Sequence, residues 1–412
     1  MSRGRFRCRS CGSGALELVL SLGETPLANS LLRKEELDRP EPRFPLDLVF
    51  CSACCLVQIT ETVPPEQLFR EYLYFSSFSE TMLAHARTLV ERLIGELGLH
   101  GKSLAVEVAS NDGYLLQYYK AAGVPVLGIE PAQNIARVAI EERGIPTISE
   151  FFGLDLARKL VAEGRRADVL HANNVLAHVA DLNGFVEGVR EILADDGIAA
   201  LEFPYLGDMI EHAEFDTIYH EHLCYFSLSA LTHLFGRHGL EALDVERLPI
   251  HGGSLLLTVG RAESRRAPTA AVGALLAEER TRGMNDLAFY RGFAQRVLDL
   301  KAQLRALLDR LKKDGHRIAA YGAAAKGSTL LNTFQIGAET IDFVVDRNTH
   351  KQGLYMPGVH IPIAAPERLC EAMPAYTLLL TWNFAAEILR QQDEYRRRGG
   401  KFIVPIPDAR IV

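Results

Sequence analysis

The sequence predicts an α/β protein with three parts: an N-terminal zinc-binding module, a central Rossmann-like domain and a C-terminal Rossmann-like domain. Two cysteine pairs with C-x-x-C spacing near the N-terminus predict the first part. Apolar strand patterns alternate with helical patterns over 103–205 and again from 315, which predicts the two doubly wound parts. A chain of 412 residues is also too long for one ordinary core. We place the domains at 1–70, 71–265 and 266–412.

Composition and charge narrow the class of protein. A hydrophobic content of 48% with 24% charged residues is typical of a soluble globular chain. The net charge of −7 leaves no basic surplus to neutralise phosphates, so we expect no nucleic-acid partner. No apolar run approaches the roughly 18 residues of a membrane span. The basic N-terminus is followed by Cys8 instead of an apolar segment, so we expect no signal peptide and a cytoplasmic location.

The N-terminal cysteines predict a structural zinc site. Cys8 and Cys11 form one pair and Cys51 and Cys54 the other, which gives four thiolates for a tetrahedral ion. All four positions are then filled, so none is open for a catalytic water. A redox role is the alternative, but a redox C-x-x-C stands alone and opens a helix. Cys55 could replace Cys54 in the count, although the C-x-x-C spacing favours Cys54.

The segment after the cysteines is aromatic and leads into a helix. Residues 72–79 carry Tyr72, Tyr74 and two phenylalanines among hydroxyl side chains. Composition alone favours ordinary packing between domains for this run. Apolar residues at helical spacing then predict a helix at about 80–98.

The first strand and turn of the central domain have the pattern of an adenosine site. A buried strand over 103–109 leads into the turn Ser110-Asn111-Asp112-Gly113, and a second strand over 126–130 ends in Glu130. A small-residue turn lets a ligand approach the backbone, and an acid at the end of the next strand takes the ribose hydroxyls. Because the turn is not G-x-G-x-x-G, we expect a ligand without a pyrophosphate.

Polar residues also follow the third strand of this domain. The strand begins at 167 and ends at Asn173 and Asn174, with His178 shortly after it. Open α/β sheets bind ligands beyond the carboxyl ends of their strands. A lone histidine at such a place is more often structural. A helix at 183–194, followed by Asp195-Asp196-Gly197 and a strand at 198–203, completes a fourth unit.

The stretch Tyr219-His220-Glu221-His222 places four proton-handling side chains in a row. A histidine base, an orienting carboxylate and a phenol can remove a proton and hold the resulting oxyanion. The alternative is a polar loop with two solvated histidines. On a regular strand Tyr219 and Glu221 would face away from His222, so one pocket for all three requires a bend. We leave His220 out of the chemistry, as a residue that is structural or that supports the catalytic side chains from behind. We expect no metal here because the H-E-x-x-H spacing is absent.

Two strands and a long helical stretch follow the 219–222 motif. Strands are predicted at 241–248 and 254–260, and apolar residues then recur at steps of four and three over 293–311. The regular stretch is under three heptads, so we expect a packed spacer helix and not a dimeric coiled coil.

A second strand, turn and helix start at Gly315. The turn contains Gly322, and Lys326 and Gly327 open the following helix, where an anionic group could bind. The next strand ends in Asp346, Lys351 lies in the loop after it, and a further strand ends at Trp382 and Asn383. An inert module that only packs against the central domain remains the alternative.

Five motifs together resemble a known family. They are Cys8/Cys11 with Cys51/Cys54, Glu107-x-Ala109-Ser-Asn111-Asp112-Gly113, Tyr219-His-Glu-His222, His251-Gly-Gly-Ser254 and Tyr321-Gly-Ala-x-Ala-Lys326-Gly327. Their order and content resemble the zinc-containing sugar C-methyltransferases, which use S-adenosylmethionine (SAM) and act on nucleotide-linked deoxysugars. The 3-C-methyltransferase group is the best match, and the resemblance spans nearly the whole chain. Ala109 departs from the pattern, because the family usually has glycine there.

The resemblance implies a cofactor, a substrate and site residues. The central part would be a class I methyltransferase domain that binds SAM, with Glu130 on the ribose. A nucleotide-diphosphate sugar would lie between the central and C-terminal domains, and the zinc would be structural. The implied SAM-binding residues are Glu107, Ala109, Asn111, Asp112, Gly113, Glu130, Pro131, Asn173 and Asn174. The implied substrate-binding residues are Tyr321, Gly322, Lys326, Gly327, Asp346, Lys351, Trp382 and Asn383. The implied catalytic residues are Tyr74 (with Tyr72 as a neighbouring choice), His178, Tyr219, Glu221 and His222.

The chemistry of carbon methylation agrees with this set. A 4-keto group acidifies the hydrogen on C3 of the sugar, and we expect His222 to remove it. Tyr219 or His178 would stabilise the enolate oxygen, Glu221 would orient the pair, and C3 would then take the methyl group of SAM. We expect a monomer.

Two other classes of function remain as alternatives. A nicotinamide-dependent nucleotide-sugar dehydrogenase or epimerase would need the glycine spacing and a Tyr-x-x-x-Lys pair, which the sequence lacks. A zinc-dependent binding scaffold would not need the titratable groups at 219–222.

Overall fold

A computed structural model describes residues 6–64, 76–250 and 252–412. An antiparallel sheet of order β1-β2-β3-β9 forms the N-terminal module. Its strands are β1 (Leu16–Thr25), β2 (Phe44–Cys51), β3 (Val57–Ile59) and β9 (Cys224–Tyr225). The last strand comes from the middle of the chain and pairs Cys224 with Gln58. The N-terminal module is therefore completed by residues that closely follow His222.

The central domain has a seven-stranded sheet of order β10-β11-β8-β7-β4-β5-β6. Its strands are β4 (Ala105–Val108), β5 (Val126–Ile129), β6 (Thr147–Ile148), β7 (Ala167–Asn173), β8 (Leu193–Pro204), β10 (Leu240–Leu248) and β11 (Ser254–Arg261). Strands β4 to β8 are parallel, while β11 runs antiparallel to both β8 and β10. The carboxyl ends of the parallel strands therefore share one edge of the sheet, where the predicted polar residues lie.

Helices and short 3-10 turns surround this sheet. They are Ser76–Phe78, Glu80–Leu97, Leu116–Ala121, Gln133–Arg143, Leu154–Ala162, Leu176–His178, Leu182–Ile192, Leu206–Glu211, Phe215–Thr217 and Leu228–Arg237. The helix predicted at about 80–98 is confirmed. It begins at Ser79, whose Oγ accepts from the Met82 backbone N–H at 3.3 Å, and it ends at Gly98 with φ of 63°.

The predicted boundary between helix 183–194 and strand 198–203 is wrong, because the helix ends at Ile192 and strand β8 begins at Leu193. Leu193 pairs with Ala167, and the register shifts before the next pair, Val169 with Ile198. The irregular ladder keeps 195–197 in extended backbone. Gly197 is needed there, since a Cβ would lie 2.5 Å from the Ala167 carbonyl oxygen. The sequence Asp-Asp-Gly is typical of a turn, but here tertiary pairing determines the conformation.

The predicted spacer helix is present after a break. Helix Ala270–Arg282 ends at Gly283 with φ of 77°, and helix Leu287–Lys313 follows. The apolar residues that recur over 293–311 are buried on the longer helix. The tilted rings of Phe50 and Tyr290 lie 5.0 Å apart, so this helix packs against the N-terminal module.

The C-terminal domain has a six-stranded sheet of order β14-β13-β12-β15-β16-β17. Its strands are β12 (Ile318–Tyr321), β13 (Val344–Val345), β14 (Ile363–Ala364), β15 (Tyr376–Leu379), β16 (Lys401–Val404) and β17 (Arg410–Ile411). Its helices and 3-10 turn are Ala325–Phe334, Arg368–Ala372, Trp382–Phe384, Ala385–Gln391 and Asp393–Arg397. The N-terminal module has one 3-10 turn in its described residues, Lys34–Glu36. All neighbours are parallel except β17. The predicted α/β architecture is therefore confirmed.

Aromatic packing joins the central and C-terminal domains next to the Tyr219–His222 stretch. Phe215 stacks on Phe334 with ring centroids 4.6 Å apart. In the described ranges, no helix has the length and apolar character needed to cross a bilayer.

Candidate active site

A cavity of about 780 Å³ opens where the three parts of the chain meet. The N-terminal module contributes Leu27, Asn29, Ser30 and Leu31 to its wall. The central domain contributes the carboxyl ends of β4, β5 and β7 with the 219–222 stretch, and the C-terminal domain contributes Lys326, Lys351 and Asn383. A volume of this size lies within the range of small-molecule and cofactor sites.

The bend that the sequence requires at Tyr219–His222 is present. A 3-10 turn ends at Thr217, and the His222 backbone N–H then donates to the Tyr219 carbonyl at 2.9 Å. The backbone therefore turns within this stretch, and Tyr219, Glu221 and His222 all line the cavity.

Hydrogen bonds assign the proton on His222. Its Nδ1 lies 2.9 Å from the Thr217 carbonyl oxygen, which can only accept, so Nδ1 carries the hydrogen. Nε2 then carries no hydrogen, and its lone pair accepts from the Tyr219 hydroxyl at 2.8 Å. Desolvation, together with His178 and Lys326, lowers the pKa of His222 well below its usual value. The ring is therefore neutral at pH 7, which is the form that a general base requires.

His178 lies against the same imidazole. The ring centroids of His178 and His222 are 4.7 Å apart, with the planes at 71°. Burial lowers the pKa of His178 to about 4. The Leu223 backbone N–H donates to the Ala177 carbonyl at 2.7 Å, which fixes the two turns to each other. The structure thus brings together four of the five predicted catalytic side chains.

Glu221 has a partner that the sequence did not predict. Asn29 Nδ2 donates to Glu221 Oε1 at 2.7 Å, across 192 positions of sequence. Burial raises the pKa of Glu221 to about 7, while the Asn29 hydrogen bond and the charge of Lys351 lower it. Nothing in the local sequence around Asn29, a polar residue after Pro26, indicates this contact.

His220, which we left out of the predicted catalytic set, does not line the cavity. His220 is buried away from the cavity, where its Nε2–H donates to the Pro45 carbonyl at 3.1 Å and its ring packs edge-on against Phe44. This contact with β2 is structural, as expected. Tyr74, its neighbour Tyr72 and His251 lie outside the described residues.

Glu130 holds the turn that follows β4. Its two carboxylate oxygens accept from the backbone N–H groups of Asn111 at 2.9 Å and Ala132 at 2.8 Å. The turn needs left-handed backbone at Ala109, Asn111 and Gly113, with φ of 51°, 49° and 77°. Six of the predicted SAM-binding residues line the cavity, namely Ala109, Asn111, Glu130, Pro131, Asn173 and Asn174.

Three predicted SAM-binding residues, Glu107, Asp112 and Gly113, lie behind that wall. The Asp112 carboxylate pairs with Arg143 at 2.9 Å and accepts from Ser77 Oγ at 2.5 Å, so it anchors the turn. Glu107 is buried in β4, where desolvation and the neighbouring carboxylates raise its pKa well above the usual value. These residues support the turn from behind.

Asp346 holds the corresponding turn of the C-terminal domain. Its carboxylate accepts from the backbone N–H groups of Ala323 at 2.7 Å and Asn348 at 2.8 Å. Lys351 Nζ donates to the Ala323 carbonyl at 2.7 Å. Of the predicted substrate-binding residues, Lys326, Lys351 and Asn383 line the cavity, whereas Tyr321, Gly322, Gly327, Asp346 and Trp382 do not.

Lys326 lies beside a buried carboxylate and an indole. Its Nζ is 4.9 Å from the centroid of the Trp382 ring. The indole Nε1–H donates to Asp216 Oδ2 at 2.7 Å, which ties the C-terminal domain to the turn before Tyr219. Trp382 therefore positions the lysine and the two domains, although it does not line the cavity.

The described lining carries opposite charges at two places. The side with the β4 turn, which we call the acidic end, presents Glu130, Glu150 and Asp181. The side with the β12 turn, the basic end, presents Lys326 and Lys351, and the Glu221 carboxyl group of the 219–222 stretch interacts with Lys351 there. Both lysines act on the 219–222 stretch, Lys326 on His222 and Lys351 on Glu221. A cationic ligand fits the first end and an anionic one the second.

The four cysteines form one cluster, with all Sγ atoms within 4.8 Å of one another. The Sγ atoms of Cys8 and Cys54 are 3.5 Å apart and those of Cys11 and Cys51 are 3.6 Å apart. Zn–S bonds of roughly 2.3 Å in a tetrahedron place sulfurs about 3.8 Å apart, so zinc fits. Gln58 Nε2 also donates to Cys8 Sγ at 3.2 Å. Cys55 faces the Asn285 carbonyl instead, so Cys54 is the fourth member of the cluster.

Family comparisons match each part of the chain. A zinc binding domain family matches residues 8–69, a methyltransferase domain family matches 79–245, and the C-methyltransferase C-terminal domain family matches 249–407.

Two solved structures are partial matches. The SAM-bound magnesium protoporphyrin IX methyltransferase of Synechocystis PCC 6803 is 14% identical, with 43% of this chain and 79% of that chain covered and a TM-score of 0.34. A SAM-dependent methyltransferase of Anabaena variabilis ATCC 29413 is 15% identical, with 42% and 84% covered and a TM-score of 0.35. Scores this low leave membership of the family to be decided by sequence.

A relative of known class decides the family by its sequence identity to this chain. C-methyltransferase NovU of Streptomyces niveus is 39% identical over 405 residues, which cover 98% of this chain and 96% of that protein. The resemblance noted from the motifs is confirmed, and the nicotinamide-dependent and scaffold alternatives are wrong. The chain belongs to the family of zinc-containing, SAM-dependent C-methyltransferases.

Proposed function

We propose that the enzyme transfers a methyl group from SAM to C3 of a nucleotide-linked 4-keto-6-deoxy sugar. The observation that carries this proposal is one cavity with an acidic end, a basic end and a neutral, buried histidine base in the same wall. SAM is a cation with a ribose, and a nucleotide-diphosphate sugar is an anion. The two ends match these two charges.

At the acidic end, Glu130 would accept the ribose hydroxyls of SAM. Its carboxylate already accepts two backbone N–H groups, so it is fixed in direction before the ligand binds. Each carboxylate oxygen has further acceptor capacity for a hydroxyl. Bound SAM would supply an electrophilic methyl group to the cavity.

At the basic end, Lys326 and Lys351 would hold the diphosphate. Lys326 stands in the first turn of helix Ala325–Phe334, whose N-terminal backbone N–H groups also favour an anion. Lys351 is held in place by the Ala323 carbonyl and keeps two further donor hydrogens. Asn383 would add a neutral hydrogen-bonding group on the same wall.

His222 would remove the C3 proton of the sugar through Nε2. Without substrate that lone pair accepts from Tyr219, and the Thr217 carbonyl keeps the other nitrogen protonated. When the sugar binds, the Tyr219 hydroxyl would turn to the C4 oxygen. This movement frees Nε2 for the C3 hydrogen and gives the developing enolate a hydrogen-bond donor. His178, the other candidate donor, lies against the His222 ring, but its neutral imidazole has one N–H, which the Glu221 backbone carbonyl accepts, so Tyr219 is the favoured donor to that oxygen.

Mass spectrometry of products tests the proposal. The zinc-loaded enzyme would be incubated with SAM and a panel of nucleotide-linked 4-keto-6-deoxy sugars that differ in the base and in the C3 substituent. We expect a product heavier by one methyl group, with the methyl on carbon. A parallel incubation in D₂O without SAM should exchange the C3 hydrogen. A panel in which no sugar is methylated or exchanged would contradict the substrate class.

Four further expectations stay predictions. They are the domain boundaries, the monomeric state, the cytoplasmic location and the absence of a nucleic-acid partner. Gel filtration with light scattering of the zinc-loaded chain would test the monomeric state.

A further inference from the structure

The segment between β1 and the 3-10 turn Lys34–Glu36, residues 26–33, forms part of the cavity wall, and we call it the strap. Four of its side chains, Leu27, Asn29, Ser30 and Leu31, line the cavity. Leu32 and Tyr355 exchange two backbone hydrogen bonds, with N···O distances of 3.0 Å and 2.9 Å. The strap is thus held by β1 of the zinc module at one end and by the C-terminal domain at the other.

We propose that Asn29, on this strap, is a positioning residue that fixes the Glu221 carboxylate for methyl transfer. This inference rests on the proposed function of the 219–222 stretch. Its basis is the 2.7 Å hydrogen bond from Asn29 Nδ2 to Glu221 Oε1 inside the cavity wall. The zinc module would therefore take part in the reaction through an amide and not through its metal.

Glu221 needs such a partner because it is buried, with 5% of its surface exposed. A buried carboxylate without a hydrogen-bond donor is strongly disfavoured as an anion. From the C-terminal domain, the positive charge of Lys351 also favours the anion. From the central domain, the Glu221 backbone carbonyl contacts His178, whose pKa of about 4 leaves it neutral.

The ionisation of Glu221 gives the inference a measurable sign. Desolvation brings its pKa to about 7, and the Asn29 hydrogen bond opposes that rise by favouring the anion. Removal of the amide should therefore raise the pKa further. At pH 7 a larger share of Glu221 would then be protonated, and the carboxylate would no longer be fixed in direction.

The test compares Asn29→Ala and Asn29→Asp with Glu35→Ala, an exposed position in the same connection. For Asn29→Ala we expect kcat at pH 7 to fall about 10-fold, because the bond involves a charged acceptor. The acid limb of the kcat–pH profile should move up by about one pH unit, with the KM for SAM unchanged. Asn29→Asp should lower kcat further than Asn29→Ala does, since two carboxyl groups then lie in contact. Glu35→Ala should match the wild type.

A substrate-free measurement separates this inference from the proposed function. Infrared difference spectra between each protein and its Glu221→Gln counterpart would report the Glu221 carboxyl titration in the zinc-loaded chain. An upward shift in Asn29→Ala supports the positioning role, even if no sugar of the panel is methylated and the proposed function fails. An unchanged titration overturns the role. A loss of kcat that follows zinc content or Tm, without movement of the acid limb, also overturns it.

Discussion

In the central domain Glu130 closes the turn after β4, and in the C-terminal domain Asp346 closes the turn after β12. Both acids stand at the end of the second strand of their unit, and both accept two backbone N–H groups. In each unit one of these N–H groups belongs to the turn after the first strand, and the other belongs to the residue two positions after the acid. Both domains therefore contain the same strand-turn-acid arrangement, with hydrogen-bond distances that agree within 0.2 Å.

The two arrangements differ in what they present to the cavity. Glu130 lines it, while Lys326 and Lys351 line it on the side of Asp346, which itself stays out of the wall. One strand-turn-acid unit thus offers its carboxylate to a ligand, and the other uses its carboxylate only to shape a turn that carries cations. The shared backbone arrangement does not fix the charge of the ligand. That charge is determined by the side chains that form the cavity wall.

The largest effect should come from His222→Asn, which removes the base and leaves both ends of the cavity intact. We expect turnover to fall by about 10²–10⁴-fold, the usual contribution of a general base. Calorimetric affinities for SAM and for the nucleotide should stay near the wild-type values. His220→Asn is the neighbouring comparison, since that ring lies outside the cavity. Turnover within a factor of two in His222→Asn would refute the base assignment.

The next effect should come from the basic end. In the double variant Lys326→Gln, Lys351→Gln we expect the KM for the nucleotide sugar to rise about 100-fold, because two charged hydrogen bonds to phosphate are lost. The KM should also depend less on salt. SAM affinity should not change. The double variant Lys102→Gln, Lys313→Gln, at two exposed lysines, controls for the loss of two positive charges. An equal loss of SAM affinity would show that the two ends are not separate.

A smaller effect is expected at the acidic end. Glu130→Ala should weaken SAM binding about 10-fold or more, as a charged acceptor for the ribose disappears. Asp346→Ala removes the same backbone contacts in the other unit, and SAM affinity should survive it. Isothermal titration of both variants decides the matter. If the two variants lose SAM equally, both acids act through stability of the fold.

The smallest effect concerns the backbone of the two turns. Ala109 has φ of 51°, which costs an alanine roughly 1 kcal/mol, so Ala109→Gly should raise the free energy of unfolding by about 0.5–1 kcal/mol. Gly322 has φ of 99°, and a Cβ there would lie 2.5 Å from Thr381 Oγ1. Gly322→Ala should therefore destabilise by about 1–3 kcal/mol. Urea unfolding measures both, and a stabilised Gly322→Ala would contradict the role of backbone strain at these turns.

Much of this arrangement could be predicted from local sequence. Period and turn residues located the strands that end at Glu130 and Asp346, and the spacing of the cysteines predicted the zinc site. Adjacency in sequence also predicted the bend at Tyr219–His222, because three functional side chains in four positions cannot share one face of a strand.

Contacts between distant segments could not be predicted in this way. Asn29 meets Glu221 only because the strap is fixed at both ends, and no periodicity encodes that meeting. Likewise, the strand-end position of Asp346 is the same as that of Glu130, so sequence alone assigns both to ligands. Only the lining of the cavity, which includes Glu130, Lys326 and Lys351 but not Asp346, distinguishes the two.

Strand β9 has a practical consequence for anyone who exchanges parts between such enzymes. Gln58, which donates to the sulfur of Cys8, pairs across the sheet with Cys224, only two residues after His222. A chimaera joined at residue 70 would therefore combine a foreign metal module with a native edge strand in one sheet. Grafts that carry 224–225 together with the donor module would keep that seam intact, so the natural unit of exchange is discontinuous in the gene.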